Sequence, residues 1–273
     1  MKSEVFNASR FGAYFKYDFT QLWRNHVKAA VGIGLMGLIF YVFFVILHMI
    51  FHLGEWQAPG LTSRIIVFGI ACLALQLYQT RTYGYLTDKR KGAAWLTVPA
   101  SSFEKWLSMM LLTLLVVPFI FLVAYFLTDS ILAFADSTMD TSIVGSLSGG
   151  VQKLQDKIIC INQDYMTSWS LGPIVGLAIA LLCVNTLYFL LCGICFRKNK
   201  LLMAFAIVFG LALVTVIILQ LIPSSDLDFA GYEDPAEGER HLRALFYTIT
   251  VGSWALAAGL AAAIYFRIRT LKH

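Results

Sequence analysis

The chain has 273 residues, 59% of them apolar and 14% aromatic, and only 14% charged: 21 Lys and Arg against 16 Asp and Glu. Soluble globular domains carry about 25% charged residues, so a mean hydropathy of +0.73 means that much of the surface is solvated by something other than water. Five Cys without an even, spaced framework exclude a disulfide-stapled secreted module, and 21 Phe with 12 Tyr exclude a disordered chain or a coiled-coil rod.

In chain order, the first predicted element is an interfacial helix over residues 6–25. Phe11, Phe15, Phe19 and Leu22 form one stripe at about 100° per residue, while Arg10, Lys16, Tyr17 and Arg24 fall elsewhere round the helix and Asp18 interrupts the apolar edge. Such a pattern suits a helix lying along a leaflet with its basic residues towards anionic headgroups. Its apolar content is periodic rather than continuous, which excludes a signal peptide. A simple juxtamembrane extension is the alternative.

Next come the spans. A membrane-crossing helix needs about 20 mainly apolar residues, and uncharged runs of that length lie at about 29–51, 106–127, 171–196, 201–222 and 245–266. A sixth, 61–78, has Arg64 near its start, where the side chain can snorkel to the headgroups. The expected fold is therefore all-α: one polytopic transmembrane domain over 1–273, with six transmembrane helices and both termini on one side.

Orientation follows from Lys and Arg beside the spans. Residues 1–28, 79–105, 197–200 and 267–273 carry 16 of them, and the alternate segments carry five. The first set is expected in the cytoplasm, which makes this a multi-pass inner-membrane protein and makes 128–170 an outer segment. Apart from Arg64 at an edge, no formal charge falls within a span. Ion-coupled carriers keep ionisable groups near the midplane, so a self-powered transporter is not expected.

The cytoplasmic segment between the second and third spans is the most informative. Ser101-x-x-Glu104 is a capping box that starts the third span, and Pro99 closes the segment before it. Between the second span and Pro99, residues 83–96 can form a short helix carrying Tyr83, Tyr85, Asp88, Lys89, Arg90, Lys91 and Trp95. That helix is either an interfacial anchor or a docking surface for a soluble partner.

The run Trp95-Leu-Thr-Val-Pro-Ala-Ser-Ser-Phe-Glu-Lys-Trp106 resembles the L-T-x-P-A-S-x-x-E-K stretch of a group of type-2 ATP-binding-cassette (ABC) exporter permeases typical of Bacteroidota. Phe196-Arg-Lys-Asn-Lys200 and the short basic tail after Phe266 stand where that group has such features. The resemblance implies six helices per subunit, an elbow helix at 6–25, a coupling helix at 83–96 and a separate ATPase dimer below. The partners it implies are a cytoplasmic ABC ATPase subunit and a second copy or a related permease, in addition to membrane lipids. No nucleic acid is expected.

Other motifs are weighed against simpler readings. Ser146-Leu-Ser-Gly-Gly-Val-Gln152 approaches the signature loop of ABC ATPases, but no G-x-x-x-x-G-K-[ST] loop accompanies it. ATP hydrolysis is therefore expected only in a partner subunit, with no catalytic residue and no cofactor in this chain. His48, His52 and Glu55 can share a helix face at metal-binding spacing, although no Cys or second His pair completes the set. Cys192-Gly-Ile-Cys195 lies in an apolar helix and reads as small packing residues. Gly32, Gly34 and Gly37, Gly172-x-x-x-Gly176 and Gly259-x-x-x-Ala263 mark packing faces, and Pro118 can kink the third span.

Two functions fit. The first is the permease half of an ABC exporter, driven through 83–96 and braced by 6–25. The second is a non-transport membrane scaffold or sensor whose outer segment 128–170 binds a ligand or partner.

Overall fold

The computed structural model describes residues 6–51, 54–87, 92, 95, 97–139, 141–146, 171–221 and 235–270, and the described residues are almost entirely helical with no strand among them. Two compact units are built from this chain. One comprises Met1–Thr82 with Val98–Lys157, and the other Tyr83–Thr97 with Ile158–His273.

The first unit opens with α1 (Ala8–Leu22), capped by the Asn7 side chain, which accepts from the backbone N–H groups of Ser9 and Arg10. A π-helical turn, Trp23–Val27, leads into α2 (Lys28–Gly34), and a break at Leu35 precedes α3 (Met36–Phe51). α2 and α3 meet at 47°, so the apolar run 29–51 forms a bent pair rather than one straight rod. Helix α4 spans Leu61–Thr82, longer than the run 61–78 because polar residues Gln79, Thr80 and Thr82 are buried along it. The third apolar run becomes α5 (Ser102–Leu111), a π-helical turn (Leu112–Val116) and α6 (Val117–Ala135). Pro118 sits in the first turn of α6. Proline has no N–H to donate and its ring crowds the carbonyl four residues earlier, and the wider π turn just ahead takes up that conflict.

The core of this unit gathers Leu22, Val27, Ala30, Ala71, Leu75, Leu112, Phe121 and Tyr125. α2 closes on α6 at Gly34, where an added Cβ would lie 2.7 Å from the Ala124 Cβ. Only glycine permits that approach. Gly37 stands against the Tyr125 ring, whereas Gly32 faces open space.

In the second unit, a 3-10 turn (Gly84–Thr87) precedes α7 (Leu171–Cys195), α8 (Lys200–Leu221) and α9 (Pro235–Thr270). α7 packs chiefly on α9, and Ala180, Ile194, Ala257 and Ile264 along these two helices are buried. α8 is joined to α7 by Tyr188, whose hydroxyl donates to the Ala204 carbonyl at 2.6 Å. Asn199 turns the chain between them at φ 50°, a left-handed conformation that Asn tolerates better than most residues.

Among the described residues, four helices are long and apolar enough to cross a membrane, or five if the bent pair counts as one span. Their outward surfaces are apolar. No residue of α3 is buried, and Phe43, Met49, Phe119, Phe209 and Val251 are exposed. Apolar patches of this extent mark a surface meant for something other than water, and a bilayer supplies it.

Candidate functional site

Three polar clusters stand out, and each ties a connecting segment to a helix.

The first gathers on Glu104. Its backbone and side chain complete the expected capping box: the Ser101 Oγ accepts from the Glu104 N–H at 3.2 Å, and the Ser101 N–H donates to Glu104 Oε2 at 2.9 Å. The same fully buried carboxylate also receives the Arg10 guanidinium, at 2.7 Å from Nη2 and 2.8 Å from Nε, and the Asn7 N–H at 3.0 Å. One side chain thus caps α5 and holds the start of α1. Four positions further along α5, the Ser108 hydroxyl donates to Asp18 at 2.7 Å, with both residues buried. The buried row of α1 is Tyr14, Asp18 and Leu22, one row round from the expected stripe. Asp18 does not spoil an apolar edge. It is a packed polar contact.

The second cluster centres on Arg64 and Asp129. Arg64 Nη1 donates to Asp129 Oδ1 at 2.9 Å, Nη2 donates to the Thr141 carbonyl at 2.6 Å, and the Ile143 N–H donates to Asp129 Oδ2 at 2.6 Å. Tyr125 donates through its hydroxyl to the Arg64 carbonyl at 3.2 Å. Arg64 and Asp129 are 7% and 5% exposed, which corrects two expectations. Arg64 does not snorkel outwards, because its guanidinium turns inwards to a carboxylate. The third apolar helix does not end at 127, because pairing with Arg64 lets Asp129 remain inside a helix that continues to Ala135. The segment beyond is also fastened: Asp136 accepts from the Tyr41 hydroxyl at 2.8 Å and the Trp56 indole at 2.9 Å. Burial alone would raise the Asp136 carboxyl, but bonds from Thr138, Trp56 and Tyr41 hold it well below the usual carboxylate range.

The third cluster, in the second unit, gathers on Lys200. Its ammonium donates to the Gly84 carbonyl and, at 2.9 Å, to Thr87 Oγ1, closing the 3-10 turn at the start of the expected coupling segment. Lys200 is half-buried and is not one more solvated basic residue of the 197–200 loop.

Of the expected docking residues, Tyr83 and Trp95 are buried at 2% and 4% exposure. Their rings are turned inwards, so they serve packing rather than an open surface. Tyr85 is half-buried and stacks with Tyr83 at 6.2 Å. Asp88, Lys89, Arg90 and Lys91 lie outside the described residues. Among the expected metal ligands, His48 packs edge-on against Trp56 at 5.2 Å and Glu55 is exposed, while His52 lies outside the described residues. Among those residues no group of three or more metal-ligating side chains converges.

Sequence reasoning named Glu104 as a cap but missed Arg10 as its partner, and missed Asp18–Ser108, Arg64–Asp129 and Lys200–Thr87. The available signals were an acidic residue within an amphipathic stripe, an arginine within a span and an aspartate just past the end of another span. No protein-family profile, curated protein or solved structure matches the chain.

Proposed function

We propose that the chain is the transmembrane permease subunit of an ABC exporter, with six spans, an amino-terminal elbow helix at 6–25 and a coupling segment at 83–96 that receives force from a separate ATPase. The observation that carries this reading is the placement of that segment. It is joined through the chain to α4 and α5, both in the first compact unit, yet its described residues belong to the second unit, where Lys200 binds Gly84 and Thr87. A push on such a segment would be felt by both sets of helices. The Glu104 cluster supports the same reading, since it ties α1 to the start of the helix that comes after the segment. The side to which segment 83–96 belongs is the cytoplasmic one by the 16-to-five split of Lys and Arg.

The partner ATPase would dock on Tyr85 and on Asp88, Lys89, Arg90 and Lys91. Charge-reversed R90E and K91E variants and Y85A should insert normally but retain less ATPase in a pull-down. A rim charge acts mainly on association rate and salt dependence, while a buried charge pair costs about 2–5 kcal/mol when one partner is lost. The pull-down is therefore run at two salt concentrations. Wild-type retention of the ATPase and wild-type coupled turnover by all three variants would return the segment to an interfacial anchor and favour the scaffold reading.

A further inference from the structure

The π-helical turn after α1 and the start of α2 carry a groove that none of the three clusters uses. Trp23, Arg24, Val27, Lys28 and Val31 line an open cleft of about 620 Å³, within the range of small-molecule clefts, about 300–1,000 Å³. The five residues lie along one stripe from the π-helical turn Trp23–Val27 into α2. Val27 forms a buried floor, and Trp23 stands at the rim, 52% exposed. Arg24 and Lys28 are exposed, one turn apart, and neither has a hydrogen bond or ion pair among the described residues.

We propose that this groove binds an anionic phospholipid, with the phosphate held between Arg24 and Lys28 and an acyl chain running along Val27 and Val31 beside the Trp23 ring. The order of side chains carries the assignment. Two cations stand where the charged part of the chain ends, and the apolar run 29–51 begins at once. At about 1.5 Å rise per residue, Val31 lies about 10 Å along the axis from Arg24, the passage from headgroup to acyl region. Trp is favoured at that boundary because its ring is apolar and its N–H polar. The absence of any acidic residue from the lining excludes a neutralised internal pair there. This inference rests on the chain being membrane-embedded and not on the transport reading.

The test uses the full-length protein in neutral detergent, titrated with phosphatidylglycerol or phosphatidylcholine carrying brominated chains, which quench nearby tryptophan. Phosphatidylglycerol should quench a component that phosphatidylcholine does not, and W23F should remove it. Each basic residue near an anionic surface contributes about fivefold in affinity, so the R24Q/K28Q variant should need about 25-fold more phosphatidylglycerol for the same quenching. Equal quenching by the two lipids in the wild-type protein overturns the proposal without any variant having to fold, and leaves membrane embedding and transport untouched. Displacement of the lipid by millimolar inorganic phosphate, or quenching unchanged in R24Q/K28Q, also overturns it.

Discussion

Arg64 and Asp129 are 65 positions apart in sequence, and their side chains meet at 2.9 Å with both almost excluded from solvent. The pair also fastens the chain beyond α6, because Arg64 holds the Thr141 carbonyl and Asp129 holds the Ile143 N–H. Both terminal nitrogens of Arg64 and both oxygens of Asp129 are therefore hydrogen-bonded from within the protein, while the buried Arg64 Nε has no partner among the described residues. Such added bonds offset part of the cost of burying an ion pair.

Removing one partner should cost far more than removing both. Asp129→Ala leaves a buried guanidinium uncompensated, at a cost of about 3–5 kcal/mol, and should lower the Tm in detergent by many degrees. The Arg64→Met, Asp129→Leu double variant should recover a large part of that loss, with the remainder reflecting the two backbone bonds to Thr141 and Ile143. A double variant no more stable than Asp129→Ala would show that the pair is not the element at stake.

Gly34 and Gly32 make a paired test of the close approach between α2 and α6. Gly34→Ala places a methyl 2.7 Å from the Ala124 Cβ and 3.2 Å from the Phe121 carbonyl oxygen, contacts that only a shift of the helices relieves. Overpacking of this kind costs about 1–3 kcal/mol. Gly32→Ala meets nothing within 4 Å and gains up to about 1 kcal/mol of helix propensity. Thermal unfolding of the two variants should therefore move in opposite directions, and a tolerated Gly34→Ala would place the α2–α6 packing elsewhere.

The apolar helices were legible in the sequence because lipid-facing and packed positions are both apolar over about 20 residues, and the Ser101/Glu104 box was legible because it is local. Tertiary pairing was not. A count of flanking charges treats every ionisable group as solvated, so Asp129 looked like the start of a loop and Arg64 like a snorkelling edge residue. Their mutual neutralisation is invisible to a window of one helix. Asp18 misled for the same reason, since its partner Ser108 lies 90 positions away. Tyr83 and Trp95 looked like an exposed aromatic surface because nothing local distinguishes a docking ring from a packed one.

Glu104 should matter more than either residue it serves. Ser101→Ala removes one capping acceptor and should cost about 1 kcal/mol. Glu104→Ala also strands the Asn7 and Ser101 N–H groups and leaves Arg10 without its carboxylate. The expected order of Tm is wild type, Ser101→Ala, then Glu104→Ala, with the last also exposing residues 6–25 to protease. Equal effects of the two variants would confine Glu104 to its capping role.

The proposed orientation can be read by labelling. Ser137 and Lys198 are both exposed and belong to segments assigned to opposite sides. In intact cells, on a background with all five native cysteines replaced by Ser, Ser137→Cys should react with a membrane-impermeant maleimide and Lys198→Cys should react only after permeabilisation. External labelling of Lys198→Cys would invert the topology and remove the coupling assignment of 83–96 with it.

Lys200 is the residue whose loss should separate the coupling segment from the helices it packs with. Its ammonium is bound by the Gly84 carbonyl and the Thr87 hydroxyl, and the space is so close that a Cβ on Gly84 would lie 2.9 Å from Nζ. Hydrogen bonds to a charged group contribute about 1.5–3 kcal/mol, so Lys200→Met should raise the open population of the segment at least about tenfold. The Leu86 N–H, bound to the Tyr83 carbonyl within the 3-10 turn of the segment, exchanges with solvent in proportion to the open population. The variant should therefore exchange that amide about tenfold faster while its Tm changes little. If the segment also transmits force from an ATPase, turnover that depends on the permease should fall in the same variant. Unchanged exchange would show that Lys200 does not hold the turn, whatever the chain transports.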